Sequence, residues 1–223
     1  MVRRRDVLRA GGAAALGGLA ATSGCLGFVT GSEPIEVSAS PATVPDAALS
    51  ETGYAEYRVE PMEIERTVEV AGQSRTVVAR NQLAQYDRAV EVAGQRYQAA
   101  VFTVLSTPAV EIAGQTLNPV GGMSAAELAR RTIGRYEGIG DVEQLDDETA
   151  QVLGTETTVG VFEAETELTE GVTVDTRIHV ANAVRAGADF VVAVGAYPTI
   201  LSGEDDAVRT LMGAVVHEES DGG

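Results

Sequence analysis

The residues able to do chemistry are few: one cysteine, Cys25, two histidines, His179 and His217, and 33 Asp and Glu against 16 basic residues, all of them Arg. Nucleophilic catalysis needs Ser, Thr or Cys beside a positioned base. The one cysteine is accounted for below by covalent attachment, and no Gly-x-Ser-x-Gly elbow occurs. Phosphate-cradling loops of the Walker or dinucleotide type are absent, as are Cys/His clusters spaced for zinc. Asn81, Asn118 and Asn182 lack the Ser or Thr of a glycosylation sequon. The residue set assigns no catalytic residue and no cofactor, and it argues against the familiar enzyme classes.

Carboxylates are the remaining candidates, and one hairpin concentrates them. With Thr169-Glu170-Gly171 as a three-residue loop, Leu168 faces Val172. That register pairs Phe162 with Ile178 on the core face. On the other face it sets Glu163 against Arg177 and Glu165 against Asp175, with Glu167 and His179 nearby. Opposite charges across a pair stabilise by about 0.2–1 kcal/mol, and like charges destabilise. Glu165 and Asp175 are therefore the misfit, and with Glu167 they form a candidate oxygen site for Ca²⁺ or Mg²⁺. The competing reading is a solvated acidic face whose repulsion salt screens, which so acidic a chain produces by chance. His179, beside Arg177, reads as a surface residue. Glu204, Asp205 and Asp206 at one helix end, and His217 at the other, suit the macrodipole. Asp146, Asp147 and Glu148 read as a charged turn or strand edge, and the six tyrosines are shared between core and surface.

The N-terminus carries the clearest signal. Arg3, Arg4 and Arg5 precede Asp6-Val7-Leu8, a Gly/Ala-rich apolar stretch runs from Ala10 to Ala21, and Thr22-Ser23-Gly24-Cys25 follows. A charged region, a short apolar region and small residues before a cut site make a signal peptide. The apolar run is shorter than the roughly 20 residues that span a bilayer. Arg4 and Arg5 resemble the pair of the twin-arginine export motif. Ser23-Gly24-Cys25 resembles a lipobox, which implies cleavage before Cys25 and lipid attachment to it. An unpaired cysteine in an exported chain is thereby explained. The expected organisation is signal peptide 1–24, lipidated Cys25 and tether 25–34, one domain 35–217 and an acidic tail 218–223.

The formal net charge of −17 falls to −20 once residues 1–24, with four Arg and one Asp, are removed. A lysine-free acidic surface stays hydrated in concentrated salt. At 44% hydrophobic residues the chain can fill a core, unlike a disordered acidic segment. Nothing resembles a basic stripe, so nucleic acid is not an expected partner.

The elements that must position these residues follow from periodicity. Ile35 to Ala39 alternates as a strand, and a short helix runs from Pro45 to Leu49, ended by Gly53. Val68-Glu69-Val70-Ala71-Gly72-Gln73 recurs as Val90–Gln95 and Val110–Gln115, each an alternating run into a hairpin turn. They imply an antiparallel meander from about residue 55 to 113, with 99–105 central. Ser124 and Glu127 form a capping box for a helix to Tyr136. Strands follow at about 142–153, 157–168, 172–180 and 190–197, the last covered on both faces. Ser202 caps a closing helix from Glu204 to His217. The expected fold is α+β: an antiparallel meander with helices packed on it.

That element order, over about residues 95–217, resembles the PsbP-like α/β/α sandwich. Ser38–Val44, Ala48–Tyr54, Ser106-Thr107-Pro108 and Asn118–Gly121 resemble a haloarchaeal lipoprotein family of unknown function. The resemblance to the lipoprotein family implies lipid anchoring at the outer face of the cell membrane and no activity. The functional expectation is a non-catalytic binding or accessory module with a protein partner in the envelope. The alternatives are a small-ligand or cation carrier and, last, a hydrolase with an unfamiliar carboxylate site.

Overall fold

The computed structural model describes residues 34–70, 73–92, 94–112, 115–116, 118–133, 140–169 and 172–218. Thirteen strands are β1 (Ile35–Ser38), β2 (Ala42–Thr43), β3 (Ala55–Val70), β4 (Gln73–Val92), β5 (Gln95–Pro108), β6 (Glu111–Ile112), β7 (Gln115–Thr116), β8 (Glu143–Val152), β9 (Thr155–Thr169), β10 (Val172–Ala181), β11 (Val184–Ala186), β12 (Asp189–Pro198) and β13 (Val216–His217). Among the described residues the α-helices are α1 (Asp46–Thr52), α2 (Ala125–Ile133) and α3 (Glu204–Ala214). One antiparallel-dominated sheet runs β3-β4-β5-β12-β10-β9-β8. It is two meanders joined through β5 and β12. β1 adds a parallel pairing on β4, and β11 pairs β12.

The recurring sequence motif becomes three hairpin ends with one solution. Its third residue pairs with its sixth in every copy: Val70 with Gln73, Val92 with Gln95 and Ile112 with Gln115. A two-residue Ala-Gly connection remains, and Gly94 has φ of 78°, the left-handed region that a side chain disfavours. The meander expected over 55–113 runs from Ala55 to Pro108, and the third motif copy forms a separate two-stranded sheet of β6 and β7. β5 lies centrally between β4 and β12.

Alternation along the strands sorts the core onto two faces. Val191, Ala193, Phe102, Val104 and Tyr86 join Leu49 of α1 and Val208, Leu211 and Met212 of α3. Val192, Ile178, Val180 and Phe162 join Leu128, Ala129 and Ile133 of α2. β12 is thus covered on both sides, as its apolar run implied. The helices approach closely where side chains are missing. A Cβ on Gly195 would lie 2.6 Å from Val208 of α3, and one on Gly160 would lie 2.8 Å from Ala125 of α2.

The capping box of α2 forms: Glu127 Oε2 accepts from Ser124 N at 2.9 Å, and Ser124 Oγ accepts from Glu127 N at 3.3 Å. Other boundaries differ from expectation. Pro45 is the N-cap of α1, not its first residue. α3 is capped by Gly203 in the left-handed conformation, not by Ser202, and it ends at Ala214. His217 therefore lies in β13, which pairs with β2, and not at a helix end.

Candidate functional site

The hairpin singled out by its charges has the expected register, reached through a bulge. Val172 pairs with Thr169, not Leu168, and a shift at Val172/Thr173 then sets Thr173 against Glu167, Asp175 against Glu165 and Arg177 against Glu163. Arg177 Nη2 donates to Glu163 Oε2 at 2.9 Å. Glu165 and Asp175 are both exposed, and they line a shallow groove with Thr173, Val174, Thr199 and Ile200. Among the described residues no three His, Cys, Asp or Glu are gathered closely enough to hold a metal ion, so Glu165, Asp175 and Glu167 are not brought together as a ligand set. Cys25, Arg4 and Arg5 lie outside the described residues.

His179 is the main correction. Its alternation with Arg177 and Glu163 was read as a surface position, but α3 covers this end of that face and His179 is only 1% exposed. Its Nε2 lies 3.0 Å from the Tyr197 hydroxyl, which donates to Asp205 Oδ1 at 3.3 Å. With the hydroxyl hydrogen directed at Asp205, His179 donates from Nε2, giving a chain from β10 through β12 to α3. Arg209, one turn on from Asp205, donates to Asp205 Oδ2 at 2.9 Å and also pairs with Glu148 of β8. Burial lowers the His179 pKa, outweighing the opposite pull of Asp205 and Glu148, and Arg209 and Arg177 lower it further. Burial raises the Tyr197 pKa, and the Asp205 charge adds to it. For Asp205 burial works upward, but the hydrogen bond and charge of Arg209 prevail and its pKa is lowered.

Two acids that are buried join distant elements. Glu204, fully buried at the start of α3, accepts from the Tyr54 hydroxyl at 2.8 Å and from Arg88 of β4. Burial, then the Glu204 hydrogen bond and charge, raise the Tyr54 pKa, against the opposing pull of Arg88. Asp189 Oδ2 sits 2.9 Å from Ser40 N and 3.0 Å from His217 Nε2. With Glu218 N donating to Pro41 O at 3.0 Å, the two ends of the folded region are fastened to one residue of β12.

Chemically, these groups act as bolts. Each buried acid is engaged by donors from other elements, and His179 and Tyr197 are held neutral beneath α3. The sequence signal that could have found them is the i, i+4 spacing of Asp205 and Arg209, which is that of a helical ion pair. Residues 41–216 match the model of a domain family described as a domain of unknown function, DUF6517. No curated protein matches the chain.

Proposed function

This chain belongs to the DUF6517 family, and from that premise we propose a membrane-tethered, non-catalytic binding or accessory module, lipid-anchored through Cys25 on the outer face of the cell membrane. The observation that supports it best is where the chain enters the fold. The segment after Cys25 arrives as β1, parallel to β4, with Ile35 beside Val77, and then passes Ser40, whose amide is held by Asp189. The ten residues 25–34 reach about 35 Å when extended. A lipid at Cys25 would thus suspend the domain from one end of its longest strand, and a pull would be passed through Asp189 to the middle of the sheet. None of the helices among the described residues is long and apolar enough to cross a membrane. The commitment of Glu204, Asp189 and Asp205 to joins between elements supports the non-catalytic part. Helices on both faces of one sheet support the likeness of the second half to the PsbP-like sandwich. The acidic, lysine-free surface supports a salt-adapted setting.

The test is Cys25→Ser in the native host. The variant should leave the membrane fraction and appear in soluble form, and retention equal to the parent chain would remove the anchor from the proposal. Substituting Arg4 and Arg5 with Lys should stop export, with precursor accumulating inside the cell.

A further inference from the structure

Charge is divided unevenly along the chain. Residues 55–108, the β3–β5 arm, hold six Arg and seven Asp or Glu, whereas residues 141–218 hold three Arg and sixteen Asp or Glu. Each part exposes apolar groups of matching kind. At the end of the arm the exposed Tyr57 ring has the guanidinium of Arg58 at 5.8 Å and that of Arg96 at 6.0 Å, both half-exposed. Tyr97 and its cross-strand partner Val90 are exposed one position along from Arg96, on the other face of the same hairpin. In the acidic part, Ile200 is 86% exposed on the groove that Glu165 and Asp175 line. One surface offers an aromatic ring with the guanidinium of Arg58, and the other an aliphatic side chain with carboxylates. The exposed pair of Arg58 with Glu60 at 3.0 Å is weak enough for a partner carboxylate to share the guanidinium.

Sheet register places both surfaces near one row across the sheet. Arg177 pairs with Tyr197, Ala196 with Val101, and Val101 with Asp87, so a row crosses from β10 to β4. Asp175 and Glu165 lie on the same side of that row as Val90 and Tyr97. Val77, where β1 enters, lies on the other side, about 40 Å along β4 from Val90 at 3.4 Å per residue. Tyr57 and Arg58, at the bulge opposite Tyr86 and Gln85, flank the row itself. Copies standing side by side with their entry points level would hold arm and groove within about four residues of the same height.

We infer that the partner of the arm is a second copy of this chain: Tyr57 and Arg58 of one copy seat on the Glu165–Asp175–Ile200 groove of the next. The directly opposed carboxylates, unfavourable in the lone chain, gain a guanidinium between them. Such a contact is heterologous, head to tail, so it continues along a row of copies and does not close as a symmetric dimer. It extends the accessory-module proposal and does not depend on the anchor, since it can be read on detergent-solubilised chain.

Sedimentation velocity of the full chain in mild detergent, over a wide concentration range at fixed salt, tests this. Wild type should associate as concentration rises. Arg58→Glu and Asp175→Arg should each weaken association at least roughly tenfold by placing like charges together. Mixing the two variants should restore it, because each reversed surface then meets its complement. Tyr57→Ala and Ile200→Ser, which leave the charges alone, should weaken it as well. A wild-type chain that stays monomeric throughout overturns the inference, as do variants that associate like wild type or a mixture no stronger than its parts. Arg96 is left in place because it holds the buried Asp87, so every substitution tested is at an exposed or half-exposed side chain.

Discussion

The β3–β5 arm and the β8–β12 half are both built from antiparallel hairpins, yet they are held in different ways. β3 is exposed along most of its length, and β4 continues for 20 residues, far beyond the common strand length of 5–6. The arm's outer surface carries alternating Glu and Arg, with exposed pairs such as Arg58–Glu60 and Arg80–Glu63 that add little stability. Charge along an open edge mainly keeps other strands from pairing with it. In the β8–β12 half, α2 and α3 cover the sheet, and His179, Tyr197 and Glu204 beneath α3 are buried and fastened. The difference teaches that hairpin chemistry suffices to draw a sheet, while the helices decide which of its polar residues become structural.

The comparison is broken most severely at Glu204. Removing one partner of a buried ion pair typically costs about 3–5 kcal/mol, and Arg88, half-exposed here, recovers some solvation. Glu204→Ala should therefore cost about 3 kcal/mol in chemical denaturation. A loss below 1 kcal/mol would mean that α3 is not bolted at this point. Next is Gly195→Val, which drives a side chain into Val208 of α3. Overpacking of this kind costs about 1–3 kcal/mol. Exchange protection in α3 should fall while that of the β3–β4 pairing stays unchanged.

His179 gives a smaller, pH-dependent effect, because Asp205 partly offsets its burial. Its pKa in the fold lies below the ordinary 6.5. Between those two values the unfolded chain takes up a proton that the folded chain refuses. Stability contributed by the neutral ring is complete above pH 6.5 and is lost as pH falls through the lowered pKa. Denaturation midpoints should drop across this window in the wild type, and the drop should shrink in His179→Gln. An equal drop in both chains would assign the effect to other groups.

What was legible in the residues was local. Ala-Gly turns after alternating runs located three hairpin ends, and the Glu163/Arg177 register survived a wrong loop length because a bulge absorbed one residue. Ser124 and Glu127 form their cap from residues three apart. What was hidden was remote. Glu204 meets Tyr54 and Arg88 across 150 and 116 residues, and that demand starts α3 at a glycine cap where the local pattern favoured Ser202. His179 was placed on the correct face, but nothing near it in sequence announces that α3 lies over that face. The parallel β1–β4 pairing and the β5–β12 join are likewise long-range, beyond the reach of periodicity. For the site, the carboxylates of Glu165 and Asp175 were found opposed as read, while the buried acids that fasten the fold went unseen.

The smallest effects belong to the arm, and they sharpen the contrast because they should stay there. Gly94→Ala places a side chain at φ 78° with nothing within 4 Å of the new Cβ, so strain is the only cost. The left-handed conformation costs roughly 1–2 kcal/mol for a residue other than glycine. Part of that returns, since alanine has less freedom than glycine to lose on folding. A net loss of about 1 kcal/mol or less should follow. It should appear as faster amide exchange at the β4–β5 end, with the α3 region protected as before. The arm reaches the rest of the sheet through β5 and β12, whose pairing runs from Val101 to Pro108, and reaches α3 through Arg88, and both joins stop short of that tip. If exchange in α3 rose together with exchange at the tip, the two regions would be a single cooperative unit, and the division between a drawn sheet and a bolted one would fail.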